Sequence, residues 1–220
     1  MNGFALELNR SSELEEKTIS LFASMNHIPC KRFTKKDVVP EGWIPVGTVD
    51  WFVHVNGWKF KPDNYPEFLR SWLKREIWET DSWPLGKKVF IKPSDSYKRF
   101  NGRKTDGSYR GKKRGPYWCS DIVDFKNEWR YYVSHGQVVH AAWYQGHFDE
   151  DMRAPELDIE WPIEWVGSAD FGETIDRGLA LIEAHEPFAT GWYGTLTNYN
   201  IYGKWIIDGW EYMRSKFANQ

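Results

Sequence analysis

The stretch VFIKPSDSYKRFNGR, residues 89–103, sets a short apolar strand beside a basic, glycine-containing loop. Lys88 to Ile91 read as a strand that stops at Lys92-Pro93, because proline cannot continue a central ladder. Phe90 shares a strand face with Lys92 while Ile91 points the other way, so rigid backbone holds the Lys92 ammonium. Six residues on, Lys98 opens the run KRFNGRKTDGSYRGKKR, residues 98–114, with eight basic residues, three glycines and one acid. Neither a helical nor a strand period runs through it, which predicts a loop. So many cations repel one another unless an anion joins them. A fixed lysine beside a loop able to fold over its ligand suits a polyphosphate. Two other readings of the same charge stay open. One is a solvated basic loop; the other is a loop gripping single-stranded nucleic acid, with Tyr97, Phe100 and Tyr109 stacking on bases. Neither G-x-x-x-x-G-K-[ST] nor G-x-G-x-x-G occurs.

Composition narrows the class. The chain has 220 residues, 41% hydrophobic and 27% charged, enough to bury about 70% of its unfolded surface. That excludes disorder, coiled coil and collagen-like repeats. No apolar run approaches the roughly 18 residues of a membrane span. The opening MNGFALELNR carries Glu7 and Arg10 where a secretory signal would be apolar. Cys30 and Cys119 form no C-x-x-C pair, so neither a disulfide framework nor a structural zinc is expected. A reducing cytoplasm is the expected setting. A net charge of −2 argues against a general nucleic-acid coat. The 14 tryptophans are read as core and ledge packing ahead of base stacking.

Along the chain, Phe4 to Leu8 alternate as a strand, and Ser12 with Glu15 form a capping box for a helix carrying Leu14, Leu21, Phe22 and Met25. Short strands are predicted over Lys31–Thr34 and Thr48–Val55. A helix is predicted through Leu69, Trp72, Leu73 and Ile77, ending near Thr80-Asp81. Residues 1–85 therefore read as a small α/β lobe, and residues 86–220 as a second region. In that region Glu128–Val133 and Gln137–Tyr144 form a hairpin about Ser134-His135-Gly136. Residues 149–165 read as irregular and Thr174–His185 as a helix. Tyr193–Tyr199 and Lys204–Asp208 read as a final hairpin turning at Tyr202-Gly203.

Glu128 and Arg130 sit two residues apart on one strand face and can enter one cleft. The carboxylate suits ribose or metal, the guanidinium phosphate; same-face pairs of this kind also occur on ordinary exposed strands. The six histidines show no metal-ligand spacing, and no G-x-S-x-G or Cys/His signature supports nucleophilic hydrolysis. Asp208 and Glu211, on or just after the expected last strand, are candidate Mg²⁺ ligands, since Mg²⁺ bound to nucleotide phosphate needs only one or two carboxylates.

Taken in order, these pieces resemble the ATP-grasp superfamily, and within it the clade named for two arginines and a lysine, frequent in phages and bacteria. Pro45-Val46-Gly47-Thr48-Val49, Asn64-Tyr65-Pro66 and Leu73 to Arg75 resemble its N-terminal portion. Val89 to Pro93 with Lys98 and Phe100 to Gly102 resemble the first nucleotide-binding strand and its phosphate loop. Ser120 to Val123 resemble the hinge whose backbone meets adenine, and Glu128-Trp129-Arg130 the E-x-R hairpin. The resemblance covers roughly residues 40–212. It implies an α+β fold of two lobes with mainly antiparallel sheets that hold ATP between them.

By resemblance, Lys92 and Lys98 bind ATP phosphates, Ser120, Asp121 and Ile122 line the adenine side, and Arg130 meets phosphate or an acyl phosphate. Arg75 is the candidate for the second clade arginine. The family's last two strands bring an Asp, then a Glu with Asn two residues on, for Mg²⁺. Here the first position falls near Thr195 to Thr197 with no acid, the second at Asp208, and Trp210 stands where Asn is expected. The expected activity is an ATP-dependent carboxylate–amine ligase working through an acyl phosphate, with ATP and Mg²⁺ and a carboxylate or amine substrate that includes peptides and proteins. Two alternatives follow: a catalytically weakened fold serving as a binding or inhibitory module, and a single-stranded nucleic-acid binder. Lys92→Ala is expected to weaken ATP binding without unfolding the chain, since the sequence implies no packed partner charge.

Overall fold

The computed structural model describes residues 1–8, 14–58, 61–95, 100–108, 115–147, 152–188 and 190–217. Strands β1 (Gly3–Glu7), β2 (Cys30–Phe33) and β3 (Trp43–Val46) form a parallel sheet in the order β2-β1-β3. Helix α1 (Leu14–Met25) makes the crossover from β1 to β2. The Ser12 cap lies outside the described residues. Helix α2 (Val49–Asn56) replaces the strand expected over Thr48–Val55. The reason is local. The Thr48 hydroxyl caps the Trp51 N–H, and Gly57, at φ 67°, closes the helix by donating its N–H to the Val53 carbonyl. Trp51 and Phe52 are both buried on the helix.

A 3₁₀ turn over Glu67–Trp72 stands in place of the longer helix expected there. Lys74, at φ 51°, breaks the chain direction, and Ile77–Thr80 pair as strand β4. With β5 (Val89–Pro93), β6 (Arg103–Thr105) and β7 (Tyr117–Ser120) it builds an antiparallel sheet in the order β4-β7-β5-β6. Part of the basic run is thus a strand, paired to Val89, Phe90 and Ile91. β4, within residues 1–85, pairs with β7 of the second region.

The third sheet is antiparallel, in the order β11-β10-β8-β9. β8 (Phe125–Ser134) and β9 (Gln137–Gly146) form the expected hairpin, turning on His135 and Gly136 at φ 51° and 76°. β10 (Gly167–Thr174) and β11 (Gly178–His185) replace the helix expected over Thr174–His185. Thr174 Oγ1 donates to the Gly178 carbonyl at 2.8 Å and accepts the Arg177 N–H at 2.9 Å, which folds the turn. Pairing to β10 outweighs the helical propensity of Leu179 to Ala184. Residues 152–165 contain neither helix nor strand, as expected.

The expected final hairpin is corrected to helix α3 (Tyr199–Phe217). Gly203 and Gly209 read as turn residues but serve close packing. A Cβ at Gly203 would meet the Phe22 ring at 2.2 Å, and one at Gly209 would meet Pro187 at 2.5 Å. One face of the third sheet places Tyr132 among Phe4, Phe22, Tyr202 and Trp205. The opposite face packs Trp129, Tyr131 and Phe171 against Tyr65, Leu69 and Trp161. Most of these rings are wholly enclosed, so tryptophan and tyrosine here build the core. Among the described residues no helix is long and apolar enough to cross a membrane.

Candidate active site

A cleft of ≈ 860 Å³ opens between the two antiparallel sheets, within the roughly 300–1,000 Å³ of small-molecule sites. Alternation on β5 buries Val89 and Ile91 and turns Phe90 and Lys92 to the cleft. On β8, Trp129 and Tyr131 enter the core while Glu128 and Arg130 line the cavity. Arg75 and Ser120 to Phe125 complete one wall; Glu183 and His185 lie on the other sheet.

The third sheet presents a transverse row of charge. Arg130 pairs in register with Asp170, and Asp170 with Glu183. The Arg130 guanidinium donates from Nε and Nη2 to both Asp170 oxygens at 2.7 Å, and from Nη1 to the Gly191 carbonyl at 3.2 Å. Its guanidinium carbon lies 4.9 Å from the centre of the Tyr193 ring and 5.7 Å from that of Tyr144, and the two rings stack at 4.7 Å. Burial works against the charge of both partners; their mutual attraction outweighs it, raising the arginine's proton affinity and lowering that of Asp170.

Lys92 reaches across from the other sheet to the Glu183 carboxylate and lies 5.0 Å over the Tyr65 ring. This corrects the expectation that Lys92 has no packed partner charge. Burial again opposes both charges and is overcome, so the Glu183 carboxyl is held well below its ordinary range and the Lys92 ammonium above its own. His185 Nε2 lies 3.2 Å from Glu183 Oε1 and 3.5 Å from Asp170 Oδ2. One ligand atom from each of Asp170, Glu183 and His185 fits within a 4.8 Å group. Two carboxylates and an imidazole form a donor set that suits a divalent cation.

Glu128 accepts from the Tyr144 hydroxyl at 2.7 Å and from Gln145 Nε2 at 3.2 Å. Burial pushes its carboxyl up, with Asp170 and Glu183 adding to the effect and Tyr144 opposing it. Ser120 donates to the Asp121 carbonyl at 3.0 Å. Asp121 exchanges hydrogen bonds with Glu76 through its N–H and its Oδ2. Ile122 follows in the same cleft-lining segment. Arg75 donates to the Leu181 and Ile182 carbonyls. The β10–β11 register shifts there, Asp170 opposing Glu183 and Phe171 opposing Leu181, so Ile182 is the extra residue of a bulge. Arg75 therefore fixes the backbone that aims Glu183.

Lys98 lies outside the described residues. Asp208 and Glu211 are on α3 and not on a strand, and neither lines the cleft. Asp208 accepts from Ser134 Oγ at 2.7 Å instead. Thr195 sits in a 3₁₀ turn with Asn198. Sequence reasoning misses Asp170, Glu183 and His185. The signal is there: an acid, then Glu-x-His on the next strand, in the order expected of metal strands with His in place of Asn. The helical reading of Thr174–His185 hides it.

Residues 72–201 match the family model of the ATP-grasp domain, family 2 of the clade named for two arginines and a lysine. None of the curated proteins matches the sequence. Among solved structures, a RimK-domain ATP-grasp protein from Sphaerobacter thermophilus superposes at TM-score 0.55 with 10% identity, over 94% of this chain and 98% of that one. N5-carboxyaminoimidazole ribonucleotide synthetase from Thermotoga maritima gives 0.53 with 11% identity, over 96% and 76%. The ATP-grasp ligase PsnB, solved with a minimal precursor, gives 0.50 with 10% identity, over 96% and 99%. These likenesses are of fold, and the α+β architecture with two antiparallel sheets about a cleft is the one expected. Because the family match takes in more than half of its length, the chain belongs to the ATP-grasp domains, in family 2 of the two-arginine, one-lysine clade.

Proposed function

We propose that the protein is an ATP-dependent carboxylate–amine ligase acting through an acyl phosphate. One observation carries the reading: Arg130, Asp170 and Glu183 stand side by side across one sheet, and Lys92 joins them from the opposing one. Lys92 and Lys98 take ATP phosphate oxygens, and Ser120, Asp121 and Ile122 offer backbone groups to the adenine. Glu128 accepts from ribose hydroxyls, and Arg130 meets the transferred phosphoryl group. Arg75 acts through the bulge that aims Glu183. A divalent ion held by Asp170, Glu183 and His185 supplies neutralising charge at the phosphoryl group. Asp208 and Glu211, away from the cleft, have no part in this scheme.

In the first step a substrate carboxylate oxygen bonds to the γ-phosphorus as the bridging P–O bond breaks and ADP leaves. The amine nitrogen then bonds to the acyl carbon, the C–O bond breaks, phosphate departs and the amine gives up a proton. Lys92 and Arg130, fixed before substrate arrives, stabilise the charge that spreads over the transferred group.

The test is ADP release from ATP and divalent metal in the presence of pooled amino acids and peptides. Peptides belong in the pool because PsnB was solved with a precursor. Substrate-dependent ADP is expected; none above a Lys92→Ala control across broad pools rejects the reading. The inhibitory-module alternative draws on a missing acid near Thr195, and Asp170 supplies one. The nucleic-acid alternative draws on residues 98–114, of which 98, 99 and 109–114 lie outside the described residues. It requires binding that falls steeply with salt.

A further inference from the structure

Mg²⁺ keeps to oxygen donors in a near-octahedral array and gains little from nitrogen. Asp170 and Glu183 meet that preference. His185 does not. Its Nε2 faces both carboxylates at 3.2 and 3.5 Å, is shut off from solvent and makes no well-formed hydrogen bond. The ring is held by strand rather than loop. His185 pairs with Ser168 across the ladder, and Ala184 beside it exchanges hydrogen bonds with Asn64 through its N–H and its carbonyl. Among the described residues it is the one histidine that lines the cleft.

We infer that His185 is a direct ligand of the metal in this cleft and makes the site select a first-row transition ion over Mg²⁺. This rests on the reading of the cleft as an ATP site. Imidazole binds the divalent first-row ions in an order that rises from Mn²⁺, whereas carboxylates and phosphates accept Mn²⁺ and Mg²⁺ alike. An O,O,N donor set therefore separates ions that an O,O,O set leaves together. Mn²⁺ is the strictest probe, being the weakest nitrogen binder of the series.

The experiment is pulsed electron paramagnetic resonance of Mn²⁺ bound to the full chain with a non-hydrolysable ATP analogue, paired with competition by Mg²⁺. A nitrogen coupling is expected that changes when the histidines are labelled with ¹⁵N and vanishes in His185→Asn. That variant keeps an oxygen donor. Its Mn²⁺-over-Mg²⁺ preference should drop by at least the roughly tenfold seen when even a supporting partner of a metal ligand is removed. The isotope shift is read on the wild-type chain, so a variant that fails to fold leaves the question decided. Mn²⁺ bound with the analogue but without histidine nitrogen coupling overturns the inference and leaves the ATP site standing. No binding of the analogue at all, with any metal, overturns both.

Discussion

Asp170 and Glu183 face one another directly across the β10–β11 ladder, and each is neutralised by a cation from a different element. Arg130 on β8 holds Asp170, and Lys92 on β5, in the other sheet, holds Glu183. Two carboxylates side by side in a cleft repel unless such partners are present. The cations are therefore part of the architecture as well as of the proposed chemistry, and removing them has two separable effects.

Asp170→Ala should lower stability by about 3–5 kcal/mol, because it leaves the Arg130 guanidinium buried without its carboxylate. Urea unfolding measures this. The double replacement of Arg130→Met with Asp170→Leu should recover most of the loss, since two packed apolar side chains need no partner. A double variant no more stable than Asp170→Ala would mean that the pair contributes more than mutual neutralisation.

Lys92→Ala should weaken binding of a fluorescent ATP analogue by about 1.5–3 kcal/mol, roughly ten- to a hundredfold. It should also shift the urea midpoint downward, because Glu183 loses its cross-sheet cation. Titration and unfolding on one preparation separate the two. An unchanged affinity would remove Lys92 from the phosphate site.

Glu128→Gln gives a pH test. A carboxyl whose folded value is raised contributes stability that is fully present below its ordinary value of 4.5 and is lost as pH rises through the raised one. At neutral pH the ionised Glu128 therefore costs stability. The Gln variant, still able to accept from Tyr144, should be the more stable chain at pH 7 and equal to wild type near pH 4. Urea midpoints across that range decide it; a gap that widens toward acid would refute the sign.

Asp208→Ala should leave analogue binding unchanged and cost about 0.5–1.5 kcal/mol by removing the acceptor for Ser134 Oγ. A large drop in metal or nucleotide affinity would return Asp208 to the site.

How far the sequence can be read depends on whether local signals decide the matter. The β8–β9 hairpin is legible because Ser134-His135-Gly136 sit between two β-rich runs, and His135 and Gly136 take the positive φ that the turn needs. The strand ending at Lys92-Pro93 is legible for the same kind of reason, a proline that stops a ladder. The β10–β11 hairpin is not, because Leu179 to Ala184 have good helical propensity and only pairing with β10 makes them a strand. Read as a helix, that segment hides Asp170 and Glu183, and the candidate metal ligands are then sought near Thr195 and at Asp208. Helix α3 is hidden by Gly203 and Gly209, whose lack of a side chain serves Phe22 and Pro187. The chain position of Lys92 is plain, but its partner lies 91 residues away and no local pattern announces it.

A guanidinium carries five N–H groups. Arg130 commits three of them within the protein, two to Asp170 and one to Gly191. Two hydrogens remain for an incoming oxygen, on a group already packed beside Tyr193. The side chain's rotational freedom is spent when the chain folds, so a ligand meeting Arg130 bears little of that entropy itself. A lysine at position 130, with three hydrogens on one nitrogen, could not hold Asp170 and Gly191 and still present a fixed pair of donors to the cleft.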